Sequence, residues 1–390
     1  MFREGFAELE SRYDVTFPPE GEDFTYDEVM EMIPEYDVLC SMLDFPVNKE
    51  LIDRATNLKL VANYAVGYNN IDVAYALEKG ITVTNTPAPT TEPTANLALV
   101  LLLDTARRIS ECDRKVRQFG DQMKRGTLEN LGMPVTDMTL GIIGMGRIGK
   151  ALCKRARACG MEVIYHNRRR LDLHEETTAE ATYVTMDELL TQSDFISLNA
   201  PYTPETHHII GEAELKKMKP TAILINTARG AMVDEKALIK ALQNKEIYGA
   251  GLDVFEFNDR PSPELLTMDN VVLTPHIGTQ TTYSRIKMAR AVSDNVIGFF
   301  EDDRPVSRVL HPCPPISSLR NYSLSAHRPR PCICNGSLRQ APVNTAKATC
   351  LSESSCRIPA VLPRQISRPP CRSYANCCEA IITKRVFAPC

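Results

Sequence analysis

The letters GMGRIG at residues 144–149 form a glycine pattern whose surroundings give it chemical meaning. The apolar run TLGII precedes it, the helical pattern RIGKALCKRARACG follows, and a second apolar run, MEVIYHN, comes next. In a strand–turn–helix unit of this kind, Gly144 permits a tight turn, Gly146 lets the backbone approach a pyrophosphate, and Gly149 lets the helix pack closely on the strand. Because the helix N-terminus attracts anions, Arg147 and Ile148 in its first turn complete a predicted dinucleotide site.

The residue at the end of the next predicted strand determines which of the two nicotinamide dinucleotides, NAD or NADP, is preferred. In NAD sites an acidic residue about 20 positions after the glycines accepts hydrogen bonds from the adenosine ribose. This chain has Asn167 at that place, followed by Arg168. A neutral amide does not repel a 2′-phosphate and an arginine can bind one by paired hydrogen bonds, so the sequence favours NADP and leaves NAD possible. The alternative is a solvated basic turn without a ligand.

Short apolar runs alternate with helical patterns from residue 36 to about residue 275. The predicted strands are YDVLCSML, LKLVANYAV, GITVTN, TLGIIGMG, MEVIYHN, DFISLNA, TAILINTA, GAGLDVF and NVVLTP. The predicted helices lie after Asn69, from Thr91 to about Gln118, after Gly146, from Asp234 to Asn244 and from Thr279 to Phe300. Strands that alternate with helices build doubly wound parallel sheets, so the predicted fold class is α/β.

One long predicted helix separates the strands before Pro87 from those after Thr139, which implies two parallel sheets. We therefore predict two Rossmann-like domains with a cleft between them, and the cleft is the default position of a site. Residues 1–90 and 281–310 are predicted as a flavodoxin-like substrate domain, and residues 91–280 as the NAD(P)-binding domain. The first residues, MFREGFAELESRY, predict a helix with no strand before it, so we expect the natural start to lie upstream.

Charges and cysteines are divided unevenly along the 390 residues. Residues 1–310 contain 34 Lys+Arg, 47 Asp+Glu and four cysteines, whereas residues 311–390 contain 11, 2 and nine. The acidic body argues against a nucleic-acid partner, because phosphate binding needs a clustered positive surface. No apolar run approaches the roughly 20 residues that span a bilayer, and the first residues lack a signal-peptide pattern. We expect a cytoplasmic protein with reduced cysteines and no membrane partner.

Residues 311–390 are rich in Cys, Pro, Ser and Arg and show no sustained periodicity. A segment of this composition cannot bury a core of its own. The pairs Cys332-x-Cys334 and Cys377-Cys378 lack the second half that a zinc site needs, so no metal is predicted. We interpret the segment as a low-complexity tail that is either a frameshift or read-through product or a disordered basic extension.

Seven motifs occur in one order across residues 1–310: VANYAVGYNNID, TNTP, GIIGMGRIGK, PYTPETHHII, INTARGAMVDEKAL, GAGLDVFEF and DNVVLTPHIG. By these motifs the chain resembles the D-isomer-specific 2-hydroxyacid dehydrogenase family, in its glyoxylate and hydroxypyruvate reductase branch. The resemblance implies an NAD(P)-dependent oxidoreductase that acts on the CH–OH group of a small D-2-hydroxy acid or reduces the matching 2-keto acid. It also implies a homodimer that pairs through the long helix near Thr91.

Hydride transfer to a keto carbon needs a cation that holds the substrate carboxylate and an acid that protonates the carbonyl oxygen. Arg229, at the end of the strand in NTARG, can bind a 2-keto acid by two parallel hydrogen bonds and polarise its carbonyl, and the resemblance gives it this role. His276, in LTPHIG, is the natural acid–base residue because imidazole titrates near neutral pH. The alternatives are a surface arginine and a structural histidine at strand ends.

The family's glutamate that pairs with this histidine falls on Asn258 in a gapless alignment from GLDVF to DNVVLTPHIG. An amide can orient the imidazole but cannot stabilise its positive charge, so we predict a weaker acid and a lower pH optimum. Glu256 and Asp259 can substitute for the glutamate only if the loop shifts. Formate dehydrogenases resemble this arrangement in placing an amide beside the histidine, which leaves formate oxidation open. The rival from another class is an NAD(P)H-sensing binding protein with weakened catalysis.

Further contacts follow from the resemblance alone. Val66 and Gly67, in YAVGYNNID, are predicted to offer backbone N–H groups to the substrate carboxylate. The predicted cofactor contacts are Ala200, Pro201 and Thr206 at the adenosine, Thr227 at the phosphates or ribose, and Asp253 at the nicotinamide carboxamide. His207 and His208 are predicted as loop residues near the adenine. For each position the alternative is a turn or packing residue.

Overall fold

The computed structural model describes residues 2–42, 45–123, 126–257, 260–302, 307–309 and 385–387. The α-helices in these ranges are α1 (Ala7–Glu10), α2 (Tyr26–Met32), α3 (Lys49–Arg54), α4 (Val73–Glu78), α5 (Pro87–Arg107), α6 (Ile109–Phe119), α7 (Arg147–Ala158), α8 (Leu173–Ala179), α9 (Met186–Gln192), α10 (Glu212–Leu215), α11 (Glu235–Gln243) and α12 (Thr282–Ile297). The strands are β1 (Asp14–Thr16), β2 (Val38–Leu39), β3 (Leu60–Ala62), β4 (Thr82–Thr84), β5 (Thr139–Ile143), β6 (Glu162–His166), β7 (Thr182–Tyr183), β8 (Phe195–Leu198), β9 (Ile223–Asn226), β10 (Gly249–Leu252), β11 (Val271–Leu273) and β12 (Arg385–Phe387).

The first sheet has the strand order β1-β12-β2-β3-β4, and all of its described pairs are parallel. Helix α12 packs on this sheet beside α1, so the chain returns to the first sheet after completing the second. Two hydrogen bonds tie the helix down, because Tyr64 Oη donates to the Arg285 carbonyl at 2.6 Å and Ser293 Oγ donates to the Gly5 carbonyl at 3.0 Å.

The second sheet has the order β11-β10-β9-β8-β5-β6-β7, again with every described pair parallel. The chain runs outward from β5 to β6 and β7, then crosses to β8 and continues the other way. The order therefore reverses between β5 and β8, and ligands of open α/β sheets bind at such a switch point. Strands β8, β9 and β10 are buried along their whole length, as parallel strands covered by helices on both faces must be.

The α/β fold with two parallel sheets is confirmed, and each of the nine predicted apolar runs contains a strand. The domain boundaries at residues 90 and 280 stay a prediction. Strands β1 and β7 were not predicted, because they are only three and two residues long and carry exposed polar side chains. None of the described helices combines the length and apolar character needed to cross a membrane.

The prediction of one continuous helix from Thr91 to Gln118 is wrong at Arg108. Helix α5 ends there and α6 begins, because Arg108 adopts the left-handed conformation with φ of 56°. Its guanidinium is held by two bonds to the Glu111 carboxylate, at 2.7 and 2.6 Å, and by one to the Leu131 carbonyl at 3.0 Å. The hydrogen bonds from Arg108, followed by those from Lys115, lower the pKa of Glu111 to about 2. These contacts offset the strain of a non-glycine residue with positive φ.

The C-terminal segment departs from expectation at one place. The composition of residues 311–390 predicts no ordered element, yet Arg385–Phe387 forms β12 in the first sheet, between β1 and β2. Composition averages over eighty residues, whereas a strand needs only a few apolar residues and an open edge. Residues 310–384 and 388–390, with the cysteine pairs weighed as zinc ligands, lie outside the described residues.

Candidate active site

The three glycines of the 144–149 turn differ in what surrounds them. Gly144 has φ of 99°, and a Cβ there would lie 2.4 Å from the backbone nitrogen of Ala200. A Cβ on Gly149 would lie 2.4 Å from the Gly144 carbonyl, so helix α7 and the turn touch through backbone. By contrast, apart from its two chain neighbours, no described residue has an atom within 4 Å of a Cβ built on Gly146, directly before Arg147 at the start of α7. Open space at a helix N-terminus is what a pyrophosphate needs.

Asn167 follows β6 and reaches back to this turn. Its Oδ1 accepts a hydrogen bond of 2.7 Å from the Met145 backbone N–H. Its amide nitrogen donates to no residue that the structure describes, which leaves a donor for a ligand. Arg168 is exposed, and its charge, after the hydrogen bonds from the Thr203 side chain and the Glu205 backbone, lowers the pKa of Glu205. Arg168 therefore lies near the 200–206 loop.

Arg170 is committed elsewhere, although it belongs to the same basic run. Its guanidinium donates two bonds of 2.7 Å to the Glu176 carboxylate, which also accepts from Tyr165 Oη at 2.5 Å. Neither Arg168 nor Arg169 forms an ion pair with any described residue. All three arginines of the basic run are exposed, but only Arg170 is paired with a described carboxylate.

The loop after β8 is closed by its own side chain. Thr206 Oγ1 donates to the Pro201 carbonyl at 2.9 Å and accepts from the Thr203 backbone N–H at 2.7 Å. Ala200 is the residue that contacts Gly144, so this loop borders the glycine turn. Directly after β9, Thr227 Oγ1 is buried without a hydrogen-bond partner among the described residues. A buried hydroxyl in that state is stabilised when a ligand supplies a partner.

Arg229 lies where the C-terminal ends of the two sheets meet. Its Nε donates to Asn69 Oδ1 at 2.9 Å and its Nη1 donates to the Ala228 carbonyl at 2.7 Å. A Cβ on Gly67 would lie 1.7 Å from Nη2, so the guanidinium fits only because position 67 is glycine. Asn226, 1% exposed, fixes the turn by donating to the Arg229 carbonyl at 2.9 Å. The arginine is therefore held at both its backbone and its guanidinium.

Two asparagine side chains hold the backbone carbonyls of the loop that carries Gly67. Asn63 Nδ2 donates to the Gly67 carbonyl at 2.7 Å, and Asn63 Oδ1 accepts from Ser41 Oγ at 3.1 Å. Asn85 Nδ2 donates to the Val66 carbonyl at 2.8 Å. With their carbonyls engaged in this way, the backbone at Val66 and Gly67 is fixed opposite Arg229.

Asp253 organises the loop that carries His276. Its carboxylate accepts from Thr274 Oγ1 at 2.6 Å, from the Ile277 N–H at 2.7 Å and from the Gly278 N–H at 3.0 Å. The His276 N–H donates to the Asp253 carbonyl at 2.9 Å, and His276 itself has φ of 53°. Burial raises the pKa of Asp253, and the hydrogen bonds from this loop oppose that shift. The histidine is thereby presented on a strained turn that one buried carboxylate holds closed.

Asn258, the residue predicted to pair with His276, lies outside the described residues, and so does Asp259. Glu256 is described, and its carboxylate bonds to residues other than His276. Its Oε1 lies 2.6 Å from His208 Nε2 and its Oε2 accepts from the Glu235 N–H at 2.9 Å. His208, predicted as a loop residue near the adenine, is thus bound to the segment that follows β10.

Three site residues escaped the sequence analysis. Asn69 orients Arg229, Asn226 fixes the Arg229 turn, and Asn63 supports Gly67. Asn63 and Asn226 lie at or just after the C-terminal end of a strand, and that position was the available signal, whereas Asn69 lies in the loop between β3 and α4. Among the described residues, no three His, Cys, Asp or Glu side chains come together as a metal site requires.

Comparisons with known proteins find similar sequences and similar structures. The sequence model of the family described as "D-isomer specific 2-hydroxyacid dehydrogenase, NAD binding domain" matches residues 99–278. The chain is 49% identical over 311 residues to the glyoxylate reductase of Thermococcus litoralis, a match that covers 78% of this chain and 91% of that protein.

Two solved structures are also similar. A glyoxylate reductase from Paecilomyes thermophila has a TM-score of 0.72 at 36% identity, covering 79% of this chain and 94% of its own. An NADPH-dependent glyoxylate/hydroxypyruvate reductase from Sinorhizobium meliloti, in complex with NADP and malonate, has a TM-score of 0.66 at 31% identity, covering 76% and 97%.

The contrast between two glycines of the turn generates a test. We expect Gly149→Ala to lower the free energy of unfolding by about 1–3 kcal/mol, because its Cβ meets backbone that cannot move aside cheaply. We expect Gly146→Ala to leave the unfolding temperature unchanged and to weaken nicotinamide dinucleotide binding about tenfold, because the methyl group enters the space before α7. Thermal unfolding and fluorescence titration with reduced cofactor measure the two effects.

Gly211→Ala is the matched control, since a Cβ there makes only ordinary contacts. It should change neither quantity. A Gly146→Ala protein that binds cofactor as tightly as the wild type would contradict the assignment of this space to the pyrophosphate.

Proposed function

The chain belongs to the D-isomer specific 2-hydroxyacid dehydrogenase family, and from this premise we propose that it reduces a small 2-keto acid of the glyoxylate or hydroxypyruvate kind to the 2-hydroxy acid. Its class is that of an NAD(P)-dependent oxidoreductase acting on CH–OH groups. The alternative of a cofactor-sensing protein is not supported, since the relatives described above are named as reductases.

The observation that carries the proposal is the position of Arg229 opposite Gly67. A guanidinium held at Nε by Asn69 keeps a fixed plane, and a fixed plane can offer parallel N–H donors to a carboxylate. The backbone N–H groups of Val66 and Gly67 lie on the facing loop and would supply further donors. A 2-keto acid bound there presents its carbonyl oxygen to the same cation, which favours the negative charge that develops on it.

The proposed reaction needs one hydride and one proton. A reduced nicotinamide, when bound at the glycine turn, would supply the hydride for C2 of the keto acid. His276 donates the proton to the carbonyl oxygen, and in the reverse direction it accepts the proton of the hydroxyl group. Asp253 positions the loop that carries His276 by accepting hydrogen bonds from Thr274 and Ile277. A fixed loop supports the proposal that His276 is the acid–base residue.

Asn258 keeps the role that the sequence predicts for it. An amide beside the imidazole would orient the ring without stabilising its charge, which makes for a weaker acid. Glu256 is engaged by His208 and by the Glu235 backbone, and this supports Asn258 rather than Glu256 as the neighbour of His276.

The proposed cofactor contacts follow the turn and the two neighbouring loops. Gly144, Gly146, Arg147, Ile148 and Gly149 would receive the pyrophosphate, and Ala200, Pro201 and Thr206 would border the adenosine. Thr227 would bond to the phosphates or ribose, which is supported by its unpartnered buried hydroxyl. Asp253 would bond to the nicotinamide carboxamide with the acceptor capacity that three internal donors leave.

We favour NADP over NAD. Asn167 has an amide nitrogen without a described acceptor, and Arg168 lies near the 200–206 loop on the adenosine side. A 2′-phosphate would find a neutral donor and a cation there, where an NAD site has a carboxylate. The similar reductase from Sinorhizobium meliloti is described as NADPH-dependent and in complex with NADP.

We also propose a homodimer in the cytoplasm. Large apolar side chains of α5 and α6 are half exposed: Val100 54%, Ile109 55%, Val116 55% and Phe119 45%. Exposed apolar side chains on two consecutive helices are typical of a surface that pairs with another chain. The cysteines in the described residues, Cys40, Cys112, Cys153 and Cys159, are free thiols, which fits a reducing compartment.

The proposed reaction is tested by following the absorbance of reduced nicotinamide with purified full-length protein. We expect turnover with glyoxylate or hydroxypyruvate, and we expect His276→Gln to lower kcat by about 10²- to 10⁴-fold without weakening cofactor binding. His174→Gln, an exposed histidine on α8, should leave kcat unchanged. Folded wild-type protein that binds cofactor but reduces no member of a panel of small 2-keto acids would contradict the proposal.

The cofactor proposal is tested by two arginine variants of one basic run. Arg168→Gln should lower kcat/KM for NADPH about tenfold and leave kcat/KM for NADH nearly unchanged, because only NADPH carries the 2′-phosphate. Arg170→Gln should leave the ratio unchanged, since Glu176 already holds that guanidinium. Equal losses for NADPH and NADH in Arg168→Gln would argue against a phosphate contact.

A further inference from the structure

The first sheet holds a strand from the far end of the chain in its interior. Strand β12 pairs in parallel with β1 through Asp14–Arg385, Val15–Val386 and Thr16–Phe387, and with β2 through Val38–Val386 and Leu39–Phe387. Within the described residues β1 has no other strand neighbour. The place of β1 in the sheet therefore depends on three residues that lie about 370 positions further along the chain.

Backbone and charge both fit the inserted strand to its groove. The Asp37 N–H donates to the Arg385 carbonyl at 3.0 Å, and the Cys40 N–H donates to the Phe387 carbonyl at 2.6 Å. The Arg385 guanidinium bonds to Glu35 at 2.7 Å and lies 3.8 Å from Asp14 on the other side. The groove thus offers backbone donors along one edge and carboxylates at the end where the basic residue enters.

The two residues after Arg385 complete the core on both faces of the sheet. Successive side chains of a strand point to opposite faces, and Val386 and Phe387 are both fully buried. Val386 packs in the cluster beneath α12, whereas Phe387 stacks on Phe24 at 4.9 Å and meets Tyr36 edge-on at 5.2 Å. An extended segment with a basic, a branched apolar and an aromatic residue therefore matches the carboxylates at the end of the groove and the apolar clusters on its two faces.

A short chain of contacts joins this strand to the candidate active site. The Phe387 carbonyl accepts a hydrogen bond from the Cys40 N–H. Ser41, which follows Cys40, donates its hydroxyl hydrogen bond to Asn63. Asn63 in turn donates to the carbonyl of Gly67, the residue that makes room for Arg229. Loss of β12 would therefore loosen the loop on the substrate side of the cleft.

We propose that the groove between β1 and β2 is a strand-acceptor site and that residues 385–387 are its donor, so that the C-terminal end of the chain assembles the substrate side of the cleft. The occupant is this chain's own segment, and the groove would take the same extended sequence as a separate peptide. The coupling to catalysis rests on the proposed function, whereas occupation of the groove does not.

The occupation of the groove is tested by fluorescence of full-length protein, because the sequence contains no tryptophan. Phe387→Trp should give blue-shifted emission that acrylamide quenches weakly, as a buried indole does. Arg385→Trp is the matched control on the same strand, where the side chain is 47% exposed, and should emit as a solvated indole. Solvated emission from Phe387→Trp, in protein with native circular dichroism, would overturn the proposal.

The acceptor role is tested by Val386→Asp, which places a charge on a buried face. Amide exchange at Thr16, Asp37 and Cys40 should accelerate at least about tenfold, while the amides of β5 and β8 keep their protection and show that the second sheet remains folded. A peptide with the letters TKRVFAPC should restore both the protection and the rate of 2-keto acid reduction. A peptide with Ser at the Val and Phe positions should restore neither.

The outcomes separate the two claims. Unchanged exchange at Asp37 and Cys40 in Val386→Asp, or no rescue by the TKRVFAPC peptide, overturns the acceptor site. Restored protection in a protein that reduces no 2-keto acid, as wild type or as variant, supports the acceptor site and refutes only the proposed function.

Discussion

The residue opposite the Arg229 guanidinium must have no side chain, and this constraint governs the candidate active site. The loop after β3 comes so close to the loop after β9 that a Cβ on Gly67 would overlap the guanidinium at 1.7 Å. The hydrogen bond from Arg229 to Asn69 fixes the plane of that cation against the same loop. Each sheet thus supplies one half of the proposed anion site, and neither half is complete without the other.

The same principle of backbone contact recurs in the second sheet. The turn after β5 touches the Ala200 backbone, and α7 touches the turn through Gly149. Around these contacts, polar side chains at strand ends do the positioning: Asn226 at the Arg229 turn and Asp253 at the His276 loop. The cleft is therefore built from short-range hydrogen bonds at the carboxyl ends of parallel strands, where an open α/β sheet binds its ligand.

Much of this could be predicted from the sequence, and the exceptions have physical causes. Apolar runs report burial directly, which is why the nine predicted strands and the α/β class were found. The break at Arg108 was missed because its left-handed conformation is stabilised by Glu111 and the Leu131 carbonyl rather than by a glycine. The hydrogen bonds that Asn63 accepts from Ser41 and that Asn69 accepts from Arg229 link residues that are distant in sequence, so no local pattern predicts these partners. Strand β12 was missed for the same reason, since its groove is made by residues 14–40.

The central claim is that Arg229 recognises the carboxylate of a 2-keto acid. The most direct measurement compares kcat/KM for glyoxylate and for its uncharged amide at saturating cofactor, in the wild type and in Arg229→Gln. The account predicts that the wild type prefers the acid by at least about a hundredfold and that the variant loses most of this preference. An unchanged preference in Arg229→Gln would show that another group binds the carboxylate and would contradict the account.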